Sequence, residues 1–241
     1  MIILEDTGLY NQRLQQGKLA SLGQLTASIA HEIRNPLSAL NHASQLLMES
    51  KGLDPQNLRL TEIIQTHTQR INKIIEDILQ LSRRQPSNRK RIKLGDWLQD
   101  YLETFISTNN LDEKLTLVEF DENNHVFIDP DHLTQILDNL SLNAFKYGRQ
   151  KYGLVIFKVS RDQQSLYLDV IDNGPGVATD KRKHLFEPFF TTSPTETGLG
   201  LYISKELAEL NHASLSYQPP KTGGGCFRLR LSEANNETLE I

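Results

Sequence analysis

The run Ser28-Ile29-Ala30-His31-Glu32-Ile33-Arg34-Asn35-Pro36 contains one side chain that could act as a nucleophile, His31. Apolar residues at 29 and 33 mark the buried stripe of a helix, so His31 falls off that stripe and faces solvent. A histidine nucleophile needs a neutral ring nitrogen, and the adjacent carboxylate of Glu32 can orient the ring or take up its proton. Asn35 lies one turn further along the same face. An exposed helix histidine can also have no role at all. A zinc-protease pair would need a second histidine where Asn35 stands, so that metal reading is incomplete.

Three further groups could handle a nucleotide. In Asn139-Leu140-Ser141-Leu142-Asn143-Ala144-Phe145-Lys146-Tyr147 the two asparagines share one face of a predicted helix. Amide oxygens suit Mg2+, which prefers hard oxygen ligands shared with waters and phosphate, and Lys146 could meet a phosphate as a point charge. Paired asparagines are otherwise plain polar surface. Asp172-Asn173-Gly174-Pro175-Gly176-Val177 follows a strand ending at Ile171. By composition it is a tight turn; functionally, Asp172 could accept from an adenine amino group while the glycines admit the nucleotide to the backbone. Gly198-Leu199-Gly200-Leu201 opens a helix, where glycines free N–H groups for phosphate. Thr191-Thr192-Ser193-Pro194-Thr195-Glu196-Thr197 before it reads as a mobile lid, and no Gly-Lys-Ser/Thr follows to make a P-loop.

The elements that must hold these groups fall into two parts. Leu22, Leu25, Ile29, Ile33, Leu37 and Leu40 recur at helical spacing, with Pro36 expected to kink the run. After a turn at Ser50–Pro55 a second stripe follows: Leu60, Ile64, Ile71, Ile74, Ile75, Ile78 and Leu81. Two such helices make an antiparallel hairpin. A lone hairpin cannot enclose a core, so a homodimer forming a four-helix bundle is expected. Beyond Ile92, strands at Leu115–Phe120, Val126–Ile128, Gly153–Val159, Leu166–Ile171 and Phe227–Leu231 interleave with helices at Asp96–Ile106, Asp131–Lys146 and Leu199–Leu210. The expected class is α+β: the hairpin bundle followed by an α/β sandwich with a mixed sheet. The domain reading is 1–15 as a linker from a missing upstream region, 16–86 as the hairpin, 87–93 as linker, 94–232 as the nucleotide domain and 233–241 as a tail.

Composition narrows the classes. A net charge of −4, from 26 basic and 30 acidic residues, argues against general nucleic-acid binding. The basic cluster Arg83, Arg84, Arg89, Lys90, Arg91 and Lys93 flanks Gln85-Pro86-Ser87-Asn88 and reads as solvated linker with a hinge at Pro86–Asn88, an anionic binding patch being the lesser alternative. Cys226 alone excludes a disulfide framework and points to a reducing, cytoplasmic setting. No apolar window is long enough to span a membrane, and no secretory signal opens the chain.

Taken in order, the groups resemble the boxes of two-component sensor histidine kinases. His31–Pro36 resembles the phosphoacceptor box, Asn139–Tyr147 the N box and Asp172–Val177 the first glycine box. Phe186-Glu187-Pro188-Phe189-Phe190 resembles the F box and Gly198–Leu201 the second glycine box. Leu19–Ala30, Leu79–Arg84 and Gly223–Phe227 are similar to the nitrogen-regulation and type IV pilus sensor kinases. The resemblance implies an ATP- and Mg2+-dependent protein-histidine kinase acting as a homodimer on the receiver domain of a response regulator. It implies that His31 accepts the γ-phosphoryl group, Glu32 serves as base or orienter, and Asn35 positions water for dephosphorylating the partner. Asn143 would ligate Mg2+, with Asn139 and Lys146 near the phosphates and Tyr147 beside the base. Asp172 would read the adenine amino group, and Gly174, Gly176, Val177, Thr191, Thr192, Gly198, Leu199, Gly200 and Leu201 would shape the pocket and lid. A membrane anchor, if the parent protein has one at the inner membrane, would lie outside this chain. Thr195-Glu196-Thr197 departs from a more glycine-rich pattern and puts the lid geometry in doubt. Two readings compete: a dimeric ATP-binding module acting mainly as phosphatase or scaffold, and a gyrase or heat-shock type ATPase without histidine transfer. The upstream His31 hairpin argues against the second.

Overall fold

The computed structural model describes residues 30, 32–50, 54–83, 87–112, 114, 116–119, 124–148, 154–162, 165–193, 196–220 and 223–232. His31, the stripe positions Leu22, Leu25 and Ile29, and the segments 1–15 and 233–241 lie outside the described residues, as do Arg84, Pro86 and Thr195. The chain divides into two compact units: Met1–Gln85 with Phe189–Leu199, and Pro86–Pro188 with Gly200–Ile241.

In the first unit, α1 occupies residues 32–49 and continues through Pro36, while α2 spans Pro55–Arg83. Asp54 caps α2, its carboxylate accepting from the backbone N–H groups of Gln56 (2.8 Å) and Asn57 (2.9 Å). Pro55 takes the first helical position, where no N–H is missed. The buried seam keeps Leu37 and Ile75 of the expected stripe and otherwise differs from it. Ala30, Leu37 and Ser44 are buried at steps of seven on one side, and Thr61, Thr68 and Ile75 at the same step on the other. That is a coiled-coil repeat in which Leu37 and Ile75 alternate with smaller or polar side chains. The hydroxyls of Thr61 and Thr68 donate to the carbonyls of Asn57 (2.7 Å) and Ile64 (2.8 Å), which is how polar groups survive there. The larger aliphatics form a second repeat that stays exposed: Ile33 39%, Leu40 52% and Leu47 50% on α1, Ile64 43% and Ile71 41% on α2. Two helices bury only one seam, so the wider stripe is left uncovered.

In the second unit, Lys90–Lys93 forms β1, paired antiparallel with β3 (His125–Ile128), although this basic stretch reads as linker in the sequence. Its charges stay outside; Arg89 lies over the Phe127 ring at 5.4 Å. Between them come α3 (Leu94–Thr108) and β2 (Thr116–Glu119). Then follow α4 (Pro130–Tyr147), β4 (Val155–Arg161), β5 (Leu166–Asp172), the single turn α5 (Thr179–Arg182), α6 (Gly200–Leu210), β6 (Ser214–Tyr217) and β7 (Gly225–Leu231). The main sheet has the order β2-β4-β5-β7-β6, with β2 parallel to β4 and every other pair antiparallel, so it is mixed. Alternate residues Phe157, Leu168, Val170 and Leu229 are buried, together with Leu133, Ile136, Leu137 and Leu140 of α4 and Ile203 and Leu207 of α6. No described helix is long and apolar enough to cross a membrane.

Candidate nucleotide and phosphoacceptor sites

Helix α4 places its asparagines by a well-capped start. The Asp129 carboxylate accepts from the N–H groups of Asp131 (3.0 Å) and His132 (3.4 Å), and Pro130 follows it. Burial pushes this carboxyl up, but the N–H groups of Asn88, His132 and Asp131 outweigh it and hold it below the usual carboxylate range. Asn139 faces the first turn of α6. Its amide nitrogen donates to the Gly200 carbonyl (3.2 Å) and the Ser204 hydroxyl (3.1 Å), so it fixes the helix that the second glycine pair opens. One turn further, Asn143 is half-buried. Lys146 is exposed and lies 5.5 Å from the centre of the Tyr147 ring.

Asp172 ends β5 and is buried, with 8% of its surface exposed. Its carboxylate accepts from the N–H of Gly174 (2.8 Å) and from that of Gly225. Burial pushes the carboxyl above the ordinary aspartate value, and these donors pull it part of the way back. The turn after it folds against α4: a Cβ on Gly174 would strike the Tyr147 carbonyl oxygen. Gly176 has φ +69°, and a Cβ there would lie 2.5 Å from the Gly224 carbonyl oxygen. Only glycine serves both conditions. Thus the Tyr147 end of α4, the helix that also carries Asn143 and Lys146, meets the turn after Asp172 at Gly174, and Gly200 is held beside Asn139.

The remaining residues expected at the nucleotide belong to the first unit. The Thr191 hydroxyl accepts from the Ser193 N–H (3.0 Å) and contacts Glu196 Oε2 at 3.3 Å, so Glu196 is engaged within its own loop. Thr192 is exposed and Leu199 is buried. Gly198 has φ +71°, and a Cβ there would lie 2.5 Å from the carbonyl carbon of Phe189, itself at φ +66°. Glu32 and Asn35 are exposed on α1.

Two features were not legible in the sequence. Thr197 donates to Asp77 of α2 at 2.9 Å, inside the first unit. Burial raises the Asp77 carboxyl, while Lys73 at 3.2 Å and Thr197 partly lower it. A raised folded value means the folded unit binds protons more tightly than the unfolded chain, so stability is lost as pH rises from the ordinary aspartate range through the raised value. Asp77→Asn should therefore gain in urea midpoint over the wild type as pH rises through that window. A constant difference across pH would contradict it. The second feature fastens the start of the second unit. Ser87 Oγ donates to Asn211 Oδ1 (2.6 Å), the Asn88 N–H to Asp129 (2.7 Å) and the Asp129 N–H to Asn211 (2.9 Å). Ser87 and Asn88, expected in the hinge, are bound into the second unit, so a pivot would have to precede them.

Among the described residues no group of three or more His, Cys, Asp or Glu could hold a metal ion. The donor set at α4 is amide oxygen, which suits a hard cation that arrives with a nucleotide. Residues 21–87 match the His Kinase A (phospho-acceptor) domain, and residues 128–235 match the histidine kinase-, DNA gyrase B- and HSP90-like ATPase family. The chain belongs to the two-component sensor histidine kinases. The sensor protein kinase PilS of Pseudomonas aeruginosa is 47% identical to it over 236 residues, which is 96% of this chain and 44% of PilS. The sensor histidine kinase ZraS of Escherichia coli K12 is 29% identical over 92% of this chain and 48% of ZraS. This sensor kinase chain thus spans about half the length of the curated relatives it matches. Among solved structures, full-length ShkA in complex with AMPPNP aligns with a TM-score of 0.66 at 23% identity, covering 88% of this chain and 46% of ShkA. Histidine kinase ThkA in complex with response regulator protein TrrA aligns at 0.65 and 24% identity, covering 97% of this chain and 68% of that one. At these identities the two structures speak to the fold of the kinase chain.

Proposed function

We propose that this chain binds Mg-ATP at the α4 and Asp172–Val177 surface, phosphorylates His31, and passes the phosphoryl group to an aspartate in a response regulator's receiver domain. The observation that carries the reading is the buried Asp172 carboxylate, with its glycine turn folded beneath the end of the asparagine-bearing helix. The match to a phospho-acceptor domain upstream and the AMPPNP and response-regulator complexes of the fold neighbours support it.

In the transfer, a neutral His31 ring nitrogen attacks the γ-phosphorus, the bond to the β-phosphate oxygen breaks, and ADP leaves. The ring proton passes to Glu32 or to solvent. Phosphoryl transfer needs in-line positioning and neutralised oxygens more than covalent help. Asn143 would hold Mg2+, which supplies charge neutralisation at the phosphates, and Lys146 adds a point charge. Asn139 positions α6, and Asp172 accepts from the adenine amino group. Thr191, Thr192, Gly198 and Leu199 are assigned the role of lid residues. Asn35 orients water for dephosphorylation of the partner. The hairpin is assigned to residues 16–86 and the catalytic domain to 94–232, with Lys90–Lys93 joined to the catalytic domain because it pairs with His125–Ile128. The chain acts as a homodimer, because the exposed repeat Ile33, Leu40, Leu47, Ile64 and Ile71 is the apolar face a second copy covers in a four-helix bundle. Its place is the cytoplasm, where ATP and receiver domains meet.

The test is incubation with γ-labelled ATP and Mg2+ for the wild type and His31→Gln. Acid-labile, base-stable label is expected on the wild type and absent from the variant. ATP binding with no label on the wild type would overturn the kinase reading in favour of a phosphatase or scaffold.

A further inference from the structure

We propose that Tyr217 is a positioning residue for nucleotide recognition, holding the turn that carries the adenine-reading end of the site; this rests on the ATP-binding reading above. The turn Gly174-Pro175-Gly176-Val177 has little backbone support of its own, since Pro175 has no N–H and the flanking glycines favour many conformations. Both poles of the Val177 peptide groups are instead taken by side chains from two other elements. The Val177 N–H donates to the Tyr217 hydroxyl at 3.0 Å, from the end of β6. The Val177 carbonyl accepts from Arg182 Nε at 2.9 Å, from α5. These two side chains support each other, with the Arg182 guanidinium 5.8 Å from the Tyr217 ring centre. The ring is held in turn by Phe227 in an edge contact at 5.3 Å.

The hydroxyl is also close to the strained part of the turn. A Cβ on Gly176 would sit 3.2 Å from it, so the hydroxyl marks how near the turn lies to β6. The same turn is wedged against Gly224, whose neighbour Gly225 donates to Asp172. Tyr217 therefore acts on the position of the turn beyond Asp172, not on the reacting phosphate. Its removal should weaken nucleotide binding and blur base selection, with a smaller effect on the transfer step at saturation.

Tyr217→Phe keeps the ring against Phe227 and Arg182 and deletes only the oxygen. One hydrogen bond is worth about 1 kcal/mol, so a rise of roughly fivefold in the ATP dissociation constant and KM is expected. The change in kcat should be smaller, the preference for ATP over GTP should narrow, and the melting temperature without nucleotide should stay close to the wild type. Binding is read by titration with a fluorescent ATP analogue on the full chain. Unchanged affinity and selectivity in Tyr217→Phe would overturn the proposal, and so would a large fall in nucleotide-free melting temperature, which would make the bond one of general stability. If the wild type itself binds no ATP, the ATP-binding reading fails and takes this one with it.

Discussion

Asp172→Asn should lower ATP affinity by about a hundredfold while leaving the chain folded. The carboxylate has two jobs in the proposed site: it holds the Gly174 and Gly225 N–H groups, and it accepts from the adenine amino group. An asparagine of the same shape replaces one acceptor oxygen by a donor. That donor meets either a backbone N–H or the adenine amino group, and in both cases donor faces donor. Losing a hydrogen bond to a charged acceptor costs about 1.5–3 kcal/mol, and 1.4 kcal/mol is tenfold in affinity. Binding should also depend on pH in a diagnostic way. Burial raises the Asp172 carboxyl, so its protonation on acidification begins above the ordinary aspartate range, and wild-type ATP affinity should fall there. The stability of the nucleotide-free chain moves the other way: the contribution of this group is lost as pH rises through the raised value. Affinity measured against pH, with Asp172→Asn expected to be flat across that window, separates the two. Equal affinity in the variant would remove Asp172 from the site.

The candidate site was legible as a set of residues because its members lie close together along the chain. Asp172 to Val177 and Asn139 to Tyr147 are contiguous in sequence, and their neighbours in space, Tyr147 above Gly174, follow once a helix and a strand end are placed. Tyr217 was not legible, since a tyrosine accepting a backbone N–H forty residues away leaves no pattern along the chain. The same holds for Asn211, which reaches Ser87 across 124 positions. Strands β1 and β6 escaped for another reason. Lys90–Lys93 and Ser214–Tyr217 are only four residues long, too short for alternation to stand out along the chain, and each is ordered by its partner strand. The hairpin was read correctly as two helices, and of the expected stripe Leu37 and Ile75 are buried within one chain. Beside them the small or polar Ala30, Ser44, Thr61 and Thr68 are inside, which the stripe did not include, while Ile33, Leu40, Ile64 and Ile71 stay exposed in the single chain. Periodicity reports that a face is apolar, and it does not say which of two adjacent seams is closed within one chain.

That second seam leads to the other large effect. Leu40→Glu combined with Ile71→Glu should convert the proposed dimer to a monomer and abolish the proposed phosphorylation of His31 where that depends on the dimer. In a single chain these side chains are 52% and 41% exposed, so the substitutions remove little that the hairpin itself needs. In a four-helix bundle each would be covered, and each protomer supplies both, so the interface would carry four carboxylates in place of four aliphatic side chains. Lost apolar burial of about 1–2 kcal/mol per site already sums to roughly 4–8 kcal/mol, a weakening of about a thousandfold or more, before the cost of burying charge. Mass from light scattering at micromolar concentration reads the outcome directly. A control at Thr61, whose buried hydroxyl is bonded to Asn57, separates the two seams: Thr61→Val should change helix stability and leave the dimer mass intact. If the double variant kept the dimer mass, the exposed repeat would not be the surface that a second copy covers, because no packed bundle accommodates four unpaired carboxylates at its centre.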